Sequence, residues 1–179
     1  MSLDKVFEKV TRIFNPADVQ ASKCASIIKP KVVATMIKKA KRPILITGGK
    51  LLEDERIVDF VVKLHEKTGI EILTTGGSSK PLIERGIKPL ATVFTLHYIT
   101  QYLLDPNWKG FDGKGNYDLA VFVGFTTPYY LSRMLSALKH FSKVNTISIC
   151  EYYQPHAKFS FPNLNEDMYY EALNMILEV

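Results

Sequence analysis

Cysteine is scarce in this 179-residue chain: Cys24 and Cys150 are its only two, far apart and in no CxxC pair. An iron–sulfur cluster normally takes about four thiolates, so the chain cannot build one alone. The same scarcity removes a disulfide framework and points to a reducing, cytoplasmic setting. Long apolar runs are missing as well. The longest clean one, residues 119–125, falls far short of the roughly 20 residues that span a bilayer, so no membrane segment is expected. Residues 1–14 alternate charged and apolar side chains without the continuous apolar stretch of an export signal. The four histidines, His65, His97, His140 and His156, are scattered with no partner at ligand spacing, which leaves no zinc or nickel site in view.

Familiar catalytic signatures are equally absent. No GxGxxG opens a helix. Gly49-Lys50 resembles the end of a phosphate loop, but Leu51 stands where Ser or Thr is required and Ile44 where the first Gly belongs, so ATP hydrolysis is unsupported. Ser78 and Ser79 lack the GxSxG setting of a hydrolase nucleophile. There is no paired CxxC zinc module of the sirtuin kind and no Gly-Asp-Gly motif for thiamin diphosphate.

What is present describes a globular α/β protein. Apolar residues make up 46% and charged residues 23%, a composition that folds. The net charge is a modest +5, densest at Lys29, Lys31, Lys38, Lys39, Lys41 and Arg42. On a helix starting at Pro30 these lysines fall on the solvated side. Without interleaved aromatics or a reader motif they do not predict nucleic-acid binding, although attraction to an acidic partner protein stays open.

The order of elements follows from periodicity. Pro30 suits a first helical position, and Val33, Met36, Ile37 and Ala40 follow at helical spacing until Pro43 stops the run. Ile44-Leu45-Ile46-Thr47 is then a buried strand closed by Gly48-Gly49. A helix over residues 54–67 turns Ile57, Phe60, Val61 and Leu64 inward, Gly69 stops it, and Ile70-Glu71-Ile72-Leu73 is the next strand. Thr95 is placed to cap a helix through Leu96, Ile99 and Leu103. Residues 118–123 form a strand, Thr127 as cap and Pro128 as first residue open a helix lined by Leu131, Met134, Leu135 and Leu138, and residues 143–149 form another strand. Asn165 caps a last helix in which Tyr169, Leu173, Ile176 and Leu177 share a face. Further strands are expected within residues 21–28 or 89–94. This alternation predicts one Rossmann-like domain over residues 1–179, a mostly parallel sheet with helices on both faces, with residues 1–29 as an N-terminal extension packed on it.

In such sheets ligands bind beyond the carboxyl ends of the strands, where turns feed helix N-termini. Three turns qualify, and their residues are the candidate cofactor-binding set: Gly48 and Gly49, the run Thr75-Gly76-Gly77-Ser78-Ser79, and Gly124 with Thr126. Backbone N–H groups there suit a phosphate or pyrophosphate. The glycines serve equally well to permit tight turns. No catalytic residues assemble. Two segments stand out: residues 105–118, with the only Trp among repeated Gly and Asp, and the aromatic, proline-bracketed residues 152–163. Their composition suits an interface or a wrap over the sheet in equal measure.

At these residues the chain resembles a known family. Asp105-Pro106-Asn107-Trp108-Lys109-Gly110-Phe111-Asp112-Gly113-Lys114-Gly115-Asn116-Tyr117-Asp118 with the strand that follows, Leu138-Lys139-His140-Phe141, and residues 153–163 are similar to the epsilon subunit of archaeal acetyl-CoA decarbonylase/synthase. The likeness runs from about Pro30 to Asn163, with His156 in place of a usual Asn. Separately, Ala40-Lys41-Arg42-Pro43-Ile44-Leu45-Ile46-Thr47-Gly48 resembles the strand entry of the central domain of thiamin-diphosphate enzymes, a Rossmann-like unit that in some members binds FAD. The resemblance implies a DHS-like NAD/FAD-binding fold. It also implies a non-catalytic subunit paired with the large CO dehydrogenase alpha subunit, which bears nickel and iron–sulfur centres, as an α2ε2 unit of a five-subunit complex. The implied role is to stabilise that unit, with FAD-linked electron transfer and no intrinsic cofactor; a homo-oligomer of the isolated chain stays open. The rival expectation is a free-standing flavin- or nicotinamide-binding redox protein.

Overall fold

The computed structural model of the chain describes residues 3–8 and 23–178. Among the described residues there are six strands: β1 (Ser26–Ile27), β2 (Pro43–Thr47), β3 (Glu71–Thr74), β4 (Leu119–Val123), β5 (Asn145–Ser148) and β6 (Phe159–Ser160). All pair in parallel, in the order β1-β6-β5-β4-β2-β3. The helices are α1 (Leu3–Val6), α2 (Pro30–Lys39), α3 (Glu55–Thr68), α4 (Lys80–Ile83), α5 (Leu96–Leu104), α6 (Pro128–Phe141) and α7 (Glu166–Leu177).

A parallel sheet covered on both sides needs apolar residues on both faces of its strands. All five residues of β4 are buried, and Ile44, Leu45 and Ile46 of β2 are fully enclosed. Alternate residues feed two cores. Leu45, Val121 and Ile147 face a cluster with Val33 and Ile37 of α2, Val61 and Leu64 of α3, and Leu173 and Ile176 of α7. Ile44, Ile46 and Phe122 face a second cluster with Ile99 and Leu103 of α5 and Leu131, Leu135 and Leu138 of α6. Each such side chain contributes about 1.5–3 kcal/mol by leaving water.

Helix ends follow local chemistry. The Asp54 carboxylate accepts the Arg56 N–H at 3.0 Å, and the Asn165 side chain accepts that of Met168 at 3.0 Å. Thr95 caps α5 through the Tyr98 N–H at 3.5 Å. Gly69, at φ +69°, ends α3 with its N–H on the His65 carbonyl. Pro128 does open α6, but the Thr127 side chain makes no cap bond, so that expected cap is corrected. Leu177 and Met36, expected on buried faces, are only half-buried.

Two short strands were hidden. β1 lies within the region expected to hold one, although residues 21 and 22 of that region fall outside the described residues. β6 lies inside the aromatic segment, where no strand was expected. Residues 89–94 form no strand, but they run along the open side of β3: the Leu90 N–H donates to the Ile72 carbonyl at 2.9 Å, and Thr74 and Gly76 donate to Ala91 and Phe94. Of the proposed N-terminal extension, residues 9–22 lie outside the described residues; Phe7 packs edge-on against Phe161, with centroids 5.3 Å apart.

Candidate functional site

Strand β2 is flanked by β3 on one side and β4 on the other. The chain leaves β2 for β3 and returns across it to β4, which makes this the topological switch point where such sheets hold ligands. The turns beyond β2 and β4 are tied together here. Gly48 donates its N–H to the Val123 carbonyl at 2.9 Å, and Lys50 to that of Gly124 at 2.8 Å. A Cβ on Gly48 would stand 2.5 Å from the Gly124 oxygen and 2.7 Å from the Phe125 Cα. Gly124 has φ +71°, and a Cβ there would meet Leu51 at 2.7 Å. These two glycines are therefore accounted for by close backbone approach beneath the site.

Above them lies a cleft of about 270 Å³. Of the candidate residues, Gly49, Thr75, Gly76 and Thr126 line it together. Gly77, Ser78 and Ser79 do not. They form a 3-10 turn, Gly76–Ser79, that leads into α4, and the buried Ser78 hydroxyl donates to the Thr75 carbonyl at 2.8 Å. The Thr75 hydroxyl donates to the Thr47 carbonyl at 2.8 Å, which fixes this turn against β2. Phe125 and Thr127, within the turn 124–127 read from the sequence, complete the walls together with Thr95, Leu96 and Tyr130, which the sequence reading missed. Position relative to the turns could have found these three, since they lie at the starts of α5 and α6.

None of the lining side chains carries a charge at neutral pH; the walls offer glycine backbone, threonine hydroxyls and the rings of Phe125 and Tyr130. Charge stands beside the cleft instead. Lys50 pairs with Glu151 at 2.6 Å, and its ammonium lies 5.7 Å from the centre of the buried Tyr169 ring. Burial pushes the Cys150 thiol up, so it stays protonated and unreactive.

The histidines remain apart. His65 meets the Ile70 carbonyl at 2.7 Å, His97 and His140 are exposed, and His156 is buried. Among the described residues, no group of three His, Cys, Asp or Glu side chains could hold a metal ion.

Comparison with known proteins adds a family to this geometry. Residues 8–177 match the model of the CO dehydrogenase beta subunit/acetyl-CoA synthase epsilon subunit family. Epsilon subunit 1 of the acetyl-CoA decarbonylase/synthase complex of Archaeoglobus fulgidus is 62% identical over 167 residues, 92% of this chain and 90% of its own length. The corresponding subunit of Methanosarcina barkeri is 40% identical over 169 residues, covering 94% and 95%. That of Methanothermobacter thermautotrophicus is 32% identical over 162 residues, covering 89% and 91%. The chain belongs to this epsilon-subunit family.

Two of the three segments that carried the epsilon-subunit resemblance, residues 105–118 and 153–163, are packed against the body of the protein, while the third ends on the exposed His140 and Phe141. Trp108 stacks on Tyr102, with centroids 5.2 Å apart, and meets Phe111 edge-on at 4.8 Å. Arg42 clamps Asp112 at 2.7 Å, and its guanidinium lies 4.9 Å from the centre of the Tyr117 ring. Burial pushes the Tyr117 phenol up to about 12. In the other segment the Tyr153 hydroxyl donates to the Ala25 carbonyl at 2.7 Å, and Gln154, His156, Ala157 and Phe161 are buried. Both epsilon-family signature runs thus wrap the sheet.

Proposed function

We propose that this chain is the epsilon subunit of an acetyl-CoA decarbonylase/synthase complex, an accessory chain without a catalytic centre of its own. It steadies the large, metal-bearing CO dehydrogenase subunit in an α2ε2 unit and holds FAD for electron transfer during CO oxidation. The observation that carries this reading is the cleft at the switch point. Its walls of backbone, hydroxyls and two aromatic rings suit binding and orientation, and offer no paired acid and base or activated nucleophile.

The cleft fits an anionic dinucleotide in part. Gly49 and Gly76 let a ligand approach the backbone, and the first turn of α6, left uncapped by Thr127, has N–H donors suited to a pyrophosphate. At about 270 Å³ it sits just under the usual range of roughly 300–1,000 Å³ for small-molecule sites, so it takes one part of FAD and leaves the rest outside. Gly49, Thr75, Gly76 and Thr126 would hold that part. Flavin, when bound, supplies one- and two-electron transfer.

The subunit reading is tested by anaerobic pull-down of the tagged chain from its own cells with mass spectrometry. Recovery of a large nickel–iron–sulfur subunit in equal proportion is expected, and recovery of the chain alone would refute it. The cleft is tested by FAD fluorescence titration of Gly49→Val. A Cβ at Gly49 meets only the Thr126 hydroxyl, at 3.6 Å, so the fold tolerates the change while the side chain fills the cleft. FAD affinity is expected to fall about tenfold or more, about 1.4 kcal/mol per decade. Unchanged affinity would remove FAD from this cleft.

A further inference from the structure

The opposite, amino end of the sheet carries a surface that the cleft does not use. Between the last turns of α5 and α6 lies a groove of about 500 Å³, with Leu103, Leu104, Pro106 and Val144 as its apolar lining and Lys143 at its margin. Phe141, the last residue of α6, stands on it with 77% of its surface exposed. Other large exposed apolar side chains, among them Leu52, Tyr98, Tyr129 and Tyr130, stand at the carboxyl end. A bare Phe beside an apolar groove is a costly surface for a chain that has no use for it.

Lysine reaches this groove at Lys143, which lines it, and at Lys41, whose N–H meets the lining residue Asp118; Lys39 and Lys109 follow within two residues of Lys41 and of Gly110 along the chain. Lys39, Lys41, Lys109 and Lys143 are exposed, and none of them makes an ion pair with an acid among the described residues. Of the acids beside the groove, Asp118 lines it and accepts the backbone N–H groups of Lys41 and Arg42 at 2.9 and 2.8 Å, Asp112 pairs with Arg42, and Asp105, between the lining residues Leu104 and Pro106, accepts the Asn107 N–H at 2.9 Å. Helix C-termini attract lysines, but each end is worth only about half a charge, less than the lysines supply.

We infer that this groove docks an acidic segment of another protein subunit, which seats an apolar side chain beside Phe141 and sets its carboxylates against the surrounding lysines. A polynucleotide fits less well. Phosphates would not fill a groove lined by leucine, proline and valine, and no tier of exposed aromatics offers stacking to bases. A protein interface of this kind combines an apolar anchor with a charged rim, and the rim chiefly sets encounter rate and salt dependence. The inference rests on the reading of this chain as a subunit of the complex.

The experiment places a benzophenone amino acid at position 141 of the full chain, assembles the intact complex, irradiates it and maps the cross-linked peptides. A cross-link to an Asp- and Glu-rich stretch of another subunit is expected. Its yield should fall about tenfold in the Lys41→Glu, Lys143→Glu double variant, and should fall with added salt in the parent chain. Thermal melting confirms that the variants fold. If the complex co-purifies intact but position 141 reaches only this chain, or a stretch without acids, the docking inference is overturned while the subunit reading stands. Failure to co-purify at all overturns both. Salt-sensitive retention of a single-stranded oligonucleotide by the parent chain, lost in the double variant, would replace the acidic protein with a nucleic acid.

Discussion

The two ends of the sheet are built from opposite chemistries. At the carboxyl end, glycine turns, threonine hydroxyls and the rings of Phe125 and Tyr130 surround a neutral cleft, and the acids Asp54, Glu55, Glu166 and Asp167 gather at helix starts. At the amino end, Lys38, Lys39, Lys67 and Lys139 crowd the last turns of helices. One cause underlies both. Every strand is parallel, so the helices that return between strands point their positive ends toward the carboxyl side and their negative ends toward the amino side. In α3 and α7 acids in the first turn complement that field, and in α2, α3 and α6 bases in the last turn do. Topology thus sets the electrostatic character of each end before any ligand or partner is considered.

Three substitutions break or sharpen this comparison. Gly48→Ala strikes the carboxyl end hardest, because the new Cβ meets backbone atoms at 2.5 and 2.7 Å, which cannot swing aside as a flexible side chain does. We expect a loss of about 3 kcal/mol, read by denaturant unfolding, and a value under about 1 kcal/mol would show that the two turns can separate. Asn165→Ala removes the cap of α7, at the same end, and should cost about 1 kcal/mol by the same measurement. Asp112→Asn probes the amino end and should be the mildest near neutral pH.

The pH dependence of that last change has a defined sign. The hydrogen bond from Arg42 holds the Asp112 carboxyl down at about 2, against roughly 3.9 for an unfolded aspartate. Its contribution is therefore fully present above about pH 4 and is lost as the pH falls toward about 2. The asparagine variant should lack this part of the acid-induced loss. Parallel unfolding curves for the two chains across that window would detach the Arg42–Asp112 contact from stability.

The long elements were legible in the sequence because their signals are redundant. In α3, the Asp54 cap, the inward residues Ile57, Phe60, Val61 and Leu64, and the Gly69 stop all agree. The pair β1 and β6 left no such trace, since two residues cannot display a period and their pairing is with distant chain. The candidate site was readable as three turns, but their division of labour was not. Gly48 and Gly124 serve close packing while Gly49 and Gly76 face the cleft, and only three-dimensional proximity separates those roles. Trp108 and Tyr153 looked equally suited to an interface or to packing. Their ring contacts and hydrogen bonds place them in packing.

The lateral margins of the sheet constrain how the protein can associate. Along β3, the open backbone groups are met by the chain around Leu90 and Ala91, whose hydrogen bonds occupy the positions a further strand would need. The other margin, β1, offers only two residues to a newcomer. Strand addition, the simplest route by which one chain extends another, is thereby blunted on both flanks. An assembly then forms through surfaces other than the two sheet margins. A protein with margins of this kind resists sideways growth into a continuous sheet.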